Sequence, residues 1–204
     1  MLGSHPRLGP VVTGGWTRRA LLTGCGALAL SLMAGCGRER LDGEPAMPLP
    51  FKGRGETLLS FFDGTTLSRG RLDQIASAPE SFTARLDGTY RTDTLKLREA
   101  FRFSDGEPVQ IWDLTADNTG AISGTVSTEA EDGTMSRAFA VTGRTDRNRL
   151  VLDYDGIAPG GGETRLHFHH SMTRQGDGTV ENRVTISKFY LPLATSTVTF
   201  FKPK

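Results

Sequence analysis

The sequence predicts an all-β domain of about ten antiparallel strands, folded as an up-and-down, lipocalin-like barrel or as a strongly curved sheet. Three observations support this prediction. From residue 57 onward, apolar and polar residues alternate, turn sequences rich in Asp, Asn and Gly recur at short intervals, and helical periodicity is hard to find. A two-sheet sandwich is the alternative that the same pattern allows.

The clearest predicted hairpin lies in the middle of the chain. One face of its first strand is apolar except for a single carboxylate, and its residues are Leu95, Leu97, Glu99, Phe101 and Phe103. The turn at 104–107 contains Gly106, which tolerates positive φ. The returning strand then places Gln110, Trp112 and Leu114 on one face.

The later strands follow the same rule. Turns are predicted at 117–120, 131–133 and 175–178, and the final strand covers 195–201. Three of the later strands have a largely apolar face. Their residues are Leu150, Leu152 and Tyr154; Leu166, Phe168, His170 and Met172; and Val180, Asn182, Val184 and Ile186. Such faces are typical of strands that bury one side.

Residues 1–35 have the layout of a cleavable export signal. Arg18 and Arg19 form a basic segment before the apolar stretch 20–34, which is too short and too rich in glycine to span a bilayer, since a span needs about 20 apolar residues. The arginine pair, within Thr-Arg-Arg-Ala-Leu-Leu, is typical of the twin-arginine route. We therefore expect export from the cytoplasm.

The signal ends in Leu-Met-Ala-Gly-Cys, which predicts cleavage before Cys36 and acylation of its thiol. Each buried CH₂ contributes about 0.8 kcal/mol, so two or three acyl chains, such as palmitate, would hold the protein on a membrane. Gly37, rather than Asp, follows the cysteine, which favours the outer membrane over the inner one. Residues 36–56 would form the lipidated end and a flexible, proline-rich tether, and residues 57–204 the folded domain.

Composition excludes several classes of function. The chain has 24 basic and 23 acidic residues, and the signal removes three arginines and no acids, so the mature net charge is −2. This balance argues against a nucleic-acid partner. Both cysteines, Cys25 and Cys36, are lost or acylated, so neither a disulfide nor a cysteine metal site is expected in the domain.

Several segments resemble the bacterial lipoproteins grouped as domain of unknown function 3833. They are Phe-Phe-Asp-Gly at 61–64, Leu-Arg-Glu-Ala-Phe-Arg-Phe-Ser-Asp-Gly-Glu at 97–107 with Trp112 beyond it, Glu-Asn-Arg-Val-Thr-Ile-Ser-Lys-Phe at 181–189, and Phe-Phe-Lys at 200–202. The resemblance covers most of residues 58–202 and implies an exported lipoprotein of similar fold without assigning an activity. The chain departs from the family pattern at Gln110, where the family has Arg, and at 169–172, where the family has Asp-Asp-Trp-Met.

Glu99 is the first candidate site residue, because a carboxylate on an apolar face costs several kcal/mol unless it is paired. It would pair with Arg183, Lys188 or another cation, face solvent at a strand end, or bind a ligand. Trp112 would line the lumen or plug the end of the barrel. The predicted ligand pocket consists of Glu99, Trp112, Asn182, Arg183 and Lys188.

The histidine segment is a second candidate site. His167 and His169 are two residues apart on a strand and point the same way, so they could chelate one metal with a third ligand such as Glu163 or Asp177. The alternative is a solvated cationic face shared with Arg165. We expect no metal and no other cofactor.

The sequence favours a binding module over an enzyme. No nucleophile-elbow pattern occurs, and Gly160–Gly162 lacks the Lys and Ser or Thr of a phosphate-binding loop. We expect a lipid-anchored periplasmic protein that holds a small apolar or amphipathic ligand, or a lipid, in its barrel. The alternative is an accessory lipoprotein that docks on an envelope complex through its surface.

Overall fold

The computed structural model describes residues 56–75 and 77–204, and ten β-strands account for most of them. The strands are β1 (Gly64–Gln74), β2 (Glu80–Arg91), β3 (Thr94–Arg102), β4 (Val109–Ala116), β5 (Ala121–Thr128), β6 (Phe139–Thr145), β7 (Arg149–Gly156), β8 (Leu166–Arg174), β9 (Val180–Lys188) and β10 (Leu191–Phe201). One 3₁₀ helix, Leu58–Phe62, precedes them.

The ten strands form a closed antiparallel barrel. Each strand pairs with its neighbours in sequence, and β1 pairs with β10, from Leu67 opposite Phe201 to Gln74 opposite Ala194. Closure satisfies the backbone groups that an open sheet would leave unpaired at its edges. The predicted barrel of about ten strands is confirmed, and the alternative sandwich is wrong.

Alternation decides which side chains fill the barrel. On β3, the residues at odd numbers from Leu95 to Phe101 are buried, while Lys96 and Arg98 face solvent. The predicted inward faces of β4, β7, β8 and β9 also line the interior. The core is one continuous cluster that includes residues from the helix and from every strand except β1.

The 3₁₀ helix closes one end of the barrel, and we call it the capping helix. Leu58 and Leu59 are fully buried, and Phe62 makes an edge-on contact with Phe200, with ring centroids 5.3 Å apart. The backbone N–H of Leu58 donates to the carbonyl of Asp146 in the β6–β7 loop. This helix was not predicted, because five residues are too few to show a helical period.

The chain direction defines two ends. The capping helix and the β2–β3, β4–β5, β6–β7 and β8–β9 turns lie at the helix end. The β1–β2, β3–β4, β5–β6, β7–β8 and β9–β10 connections lie at the opposite end, which we call the hairpin end. The two ends differ in the residues of their turns.

The predicted export signal with Arg18 and Arg19, the lipidation site Cys36 and the tether up to residue 55 lie outside the described residues. Within residues 56–75 and 77–204, no helix is long and apolar enough to span a bilayer.

Candidate functional site

A cluster of polar and aromatic side chains lies inside the barrel, and we call it the interior polar cluster. Its members are Glu99 on β3, Gln110 and Trp112 on β4, Tyr154 on β7, His170 on β8 and Asn182 on β9. Residues from β3 and β4 meet residues from β7, β8 and β9 across the barrel. Each is placed inward by the same alternation that buries its apolar neighbours.

Glu99 is the carboxyl group of this cluster. It is only 8% exposed and lies opposite Gln110 and Leu86 on the adjacent strands. Burial raises its pKa to about 7, while the nearby indole N–H of Trp112 opposes the shift. Glu99 therefore changes its charge near neutral pH, inside a largely apolar interior.

The expectation that Glu99 pairs with Arg183 or Lys188 is wrong. Arg183 faces outward, is 62% exposed and contacts Glu181, with Nε 3.0 Å from Oε1, because residues adjacent to the inward Asn182 must point away from the interior. Lys188 is half-buried at the last position of β9, with Nζ 5.6 Å from the ring centroid of Phe189. Of the predicted pocket residues, the structure brings Glu99, Trp112 and Asn182 into the barrel and leaves Arg183 outside.

The rings of Trp112, Tyr154 and His170 pack against one another and connect β4 with β7 and β8 across the barrel. The ring centroids of Trp112 and Tyr154 are 5.4 Å apart with perpendicular planes, and those of Trp112 and His170 are 5.9 Å apart, also edge to face. Tyr154 and His170 lie nearly parallel at 5.7 Å. Such edge-to-face and offset contacts contribute about 0.5–1.5 kcal/mol each beyond burial, so the rings fix the positions of their polar atoms.

His170 is held as a neutral imidazole. Burial, together with the neighbouring His169, lowers its pKa to about 4, while Asp153 opposes the shift. Nδ2 of Asn182 lies 3.2 Å from Nδ1 of His170 and donates to it. A neutral imidazole that accepts at Nδ1 carries its proton on Nε2.

Gln110 links the cluster to the wall of the barrel. Its Nε2 donates to Oγ1 of Thr128 at 2.9 Å, and both side chains are buried. Burial raises the pKa of the Tyr154 hydroxyl, an interaction with Gln110 lowers it, and the charge of Glu99 raises it. Tyr154 is therefore a neutral donor at any physiological pH.

Several buried polar atoms of the barrel have no hydrogen-bond partner among the described residues. Those of the cluster are Nε1 of Trp112, Nε2 of His170 and Oδ1 of Asn182, and Oγ of Ser68 on β1 is a fourth. The indole of Trp112 lies close enough to Glu99 to affect its pKa but does not reach hydrogen-bond geometry. An unpaired buried polar group costs about 1–3 kcal/mol, so a water or ligand that paired with these three atoms would stabilise the barrel.

The predicted metal pair lies elsewhere, on the outer face of β8. Nδ1 of His167 is 3.0 Å from Oδ1 of Asp155, and Nδ1 of His169 is 2.7 Å from Oδ1 of Asp153. Within residues 56–75 and 77–204, no group of three His, Cys, Asp or Glu side chains is placed to hold a metal ion. The imidazoles thus contact carboxylates of the neighbouring strand β7.

Sequence reasoning missed His170, Tyr154 and Gln110 as members of the site. A signal was present, because each lies on a predicted inward face among apolar residues. A polar side chain at such a position must find a partner inside the fold. Which partner it finds depends on strands distant in sequence.

A family model and a solved structure are similar to this chain. No curated protein matches the chain. Among solved structures, the S-type phycobiliprotein lyase CPES from Guillardia theta is similar, with 12% identity and a TM-score of 0.48, over 72% of this chain and 91% of that one. A family model described as a protein of unknown function (DUF3833) matches residues 32–202. The chain therefore belongs to the DUF3833 family.

Proposed function

We propose that this protein binds a small amphipathic ligand or lipid inside its barrel, as a lipid-anchored protein on the periplasmic face of the cell envelope. The observation that carries the proposal is the set of unpaired polar atoms on Trp112, His170 and Asn182. Small-ligand sites are mostly apolar and contain a few convergent polar groups. The interior polar cluster, set in an apolar core, matches that description.

The chemistry of the cluster favours an uncharged polar group on the ligand. Nε1 of Trp112 and Nε2 of His170 are donors, and Oδ1 of Asn182 is an acceptor. A carbonyl, ester or hydroxyl oxygen would satisfy the donors. A carboxylate would meet Glu99, whose ionised form would repel it.

The number of strands supports a lumenal site. Eight strands enclose a space that side chains can fill or that holds one small ligand, and the diameter grows with strand number. Ten strands enclose a wider interior, and side chains of the core cluster occupy much of it. The apolar part of a ligand would lie against aliphatic side chains of the core.

We propose binding rather than catalysis because neither Glu99 nor His170 has a nucleophile to activate among the described residues. Glu99, with its pKa raised to about 7, lies beside Gln110 and the indole of Trp112, which are not nucleophiles. His170 is a weak base. The pKa of His170 is lowered to about 4, far from the neutral range where general-base catalysis is efficient. Its Nδ1 contacts an amide rather than a carboxylate. The imidazole is arranged to donate a hydrogen bond from Nε2.

The lipid anchor is proposed from the sequence alone. Acylation of Cys36 after export through the Arg18-Arg19 signal would keep the barrel at the membrane, with the outer membrane favoured over the inner one. Mass spectrometry of the protein from its own host, before and after removal of acyl chains, tests this part separately. An unmodified Cys36 would contradict it.

Native mass spectrometry of the protein purified gently from its host's envelope tests the binding role. We expect a co-purifying mass that disappears on denaturation. The matched variants are Asn182→Leu, which removes the inward acceptor, and Arg183→Leu, which changes the adjacent outward residue. The mass should be lost in the first and kept in the second, with both variants folded by circular dichroism. A bare protein mass in the unaltered chain would contradict a lumenal ligand.

Trp112 offers a second readout. Cleavage before Cys36 removes Trp16, so the mature chain would contain Trp112 as its sole tryptophan. Ligand entry should change its emission and its accessibility to quenchers. Unchanged emission after the co-purifying molecule is stripped would place that molecule outside the barrel.

The second candidate function is an accessory lipoprotein that docks on an envelope complex. A group of exposed apolar side chains at the hairpin end favours contact between this surface and another molecule. A bare protein mass together with specific crosslinks to one envelope protein would support it.

A further inference from the structure

The β9–β10 hairpin ends in a group of exposed apolar side chains. Phe189 is 84% exposed, Tyr190 is fully exposed and Leu191 is 66% exposed. Ile75, in the β1–β2 connection, is 77% exposed, and its N–H donates to the carbonyl of Leu193 at 3.2 Å. We call these four residues the apolar tip.

The turn at this tip is unfavourable for the residues it contains. Phe189 and Tyr190 both have left-handed backbones, with φ of 50° and 66°. A two-residue turn of this kind strongly prefers Asn-Gly or Asp-Gly, because bulky residues are strained there. Strain held at an exposed position points to a role for the side chains themselves.

A second turn in the same barrel provides an internal comparison. Thr92 and Asp93 connect β2 and β3 with φ of 48° and 64°, at the opposite end. That turn has the same backbone conformation and carries polar side chains. The apolar residues at the β9–β10 turn are therefore not required by the turn geometry.

A lysine lies beside the aromatic residues of the tip. Lys188 is next to the turn, and the nearby Asp73, two residues before Ile75, is paired with Arg71. Nζ of Lys188 lies 5.6 Å from the ring centroid of Phe189. Aromatic side chains beside a lysine are the composition of segments that bind the membrane interface, where the cation meets anionic headgroups.

We infer that the apolar tip inserts into the interfacial region of an anionic lipid bilayer. A bilayer accepts a narrow apolar projection, since interfacial elements bury their apolar side about 5–10 Å deep. A stable protein interface needs a broad complementary surface of about 800 Å² per partner, which a two-residue turn with two neighbours does not provide. This inference does not depend on the lumenal ligand or on the acyl anchor.

A fluorophore at the tip tests the inference directly. In the full chain with Cys25→Ser and Cys36→Ser, nitrobenzoxadiazole is attached at Leu191→Cys or, as control, at Thr92→Cys. On vesicles of phosphatidylcholine and phosphatidylglycerol, we expect the label at 191 to shift to shorter wavelength and to be quenched by brominated lipid. The label at 92 should stay in water. A label at 191 that also stays in water would overturn the inference.

Two turn exchanges separate the effect of the side chains on membrane binding from any effect on folding. Phe189→Asn with Tyr190→Gly removes the rings and relieves the strained turn, so the barrel should melt no lower than before. With the label at 191, this variant should need at least about tenfold more lipid for the same shift, because two aromatic side chains no longer enter the interface. The matched exchange Thr92→Asn with Asp93→Gly should bind as the unaltered chain does. Equal binding by both exchanges would contradict a role for the rings.

Lipid composition and native membranes complete the test. Replacing phosphatidylglycerol by phosphatidylcholine, or Lys188 by Gln, should weaken insertion at low salt. A label at 191 that is exposed on vesicles but protected in native envelope membranes would overturn insertion into lipid in favour of a protein partner.

Discussion

Nδ2 of Asn182 lies 3.2 Å from Nδ1 of His170, and this one contact decides which polar atoms of the two side chains remain unpaired inside the barrel. It turns the proton of the neutral imidazole to Nε2, which has no partner among the described residues, and it leaves Oδ1 of Asn182 without one. A donor and an acceptor are thereby held side by side on β8 and β9. Two sequence neighbours of these residues, His169 and Arg183, face outward and contact carboxylates instead.

Replacing Glu99 by Gln should stabilise the barrel at high pH. The pKa of Glu99 is raised to about 7, so the unfolded chain ionises first as the pH rises from about 4.5. The contribution of Glu99 to the free energy of unfolding therefore falls up to about pH 7. The loss is on the order of 3 kcal/mol. Denaturant unfolding at pH 8 should show Glu99→Gln to be more stable than wild type by that order, and the two should be similar at pH 4.

The outcome at pH 8 discriminates between a neutral and a paired carboxyl. A Glu99→Gln protein that is less stable than wild type at pH 8 would mean that Glu99 is ionised and held by a cation. Glu107→Gln, at an exposed position paired with Arg102, is the control and should change stability by less than about 1 kcal/mol.

Replacing His170 by Gln should change the pH dependence of the free energy of unfolding in the opposite direction to Glu99→Gln. The pKa of His170 is lowered to about 4, so the unfolded imidazole binds a proton that the folded one rejects, and stability rises with pH from about 4 to 6.5. In wild type, this rise offsets the fall caused by Glu99 over the shared range. We expect a nearly flat wild-type profile, a falling profile from pH 4.5 to 7 in His170→Gln, and a rising one from pH 4 to 6.5 in Glu99→Gln.

Unfolding curves at several pH values check whether the contributions of Glu99 and His170 to the free energy of unfolding cancel. His167→Gln, on the exposed outer face, serves as the control, because its side chain is 48% exposed. A His170→Gln profile parallel to wild type would show that His170 titrates normally in the folded protein.

The capping helix should contribute strongly to stability. Leu59 is fully buried, and Leu59→Ala should lower the free energy of unfolding by about 2–5 kcal/mol, through lost burial and a cavity at the helix end. The adjacent Ser60→Ala removes only a hydrogen bond from Oγ to the carbonyl of Thr57 and should cost about 1 kcal/mol. Equal effects in urea unfolding would show that the helix end is not packed as described.

Gly88 should be intolerant of a side chain. A Cβ at Gly88 would lie 2.0 Å from the carbonyl oxygen of Phe62, so Gly88→Ala must displace the capping helix from β2. We expect a loss of about 1–3 kcal/mol in thermal or urea unfolding. Gly162→Ala, where a Cβ would meet nothing within 4 Å, should be close to neutral, and a Gly88→Ala protein as stable as this control would contradict the close packing.

Face assignments could be predicted from the sequence because they depend on local geometry. Successive side chains of a strand point to opposite sides, so the alternation around Leu97, Trp112 and Phe168 identified the inward faces before any pairing was known. The same rule placed Glu99, His170 and Asn182 on those faces. Turn residues such as Gly178 marked where the strands end, and its φ of 85° agrees with that role.

Partners across the barrel could not be predicted in this way. Pairing of Glu99 with Arg183 was one of the predicted alternatives, yet Glu99 faces inward and Arg183 faces outward. The strained turn at Phe189 and Tyr190 was also missed, since its sequence lacks the glycine or asparagine that marks such turns.

The alternation of side chains within each strand, the number of about ten strands and the inward faces could be predicted from the amino-acid pattern, because each follows from covalent geometry and short-range turn preferences. The pairing of β1 with β10, the capping helix at one end, and the meeting of Glu99, Trp112, His170 and Asn182 in one interior emerge only in the folded chain. Those relationships depend on strand tilt and register around the whole barrel, which bring together residues that are far apart in the chain.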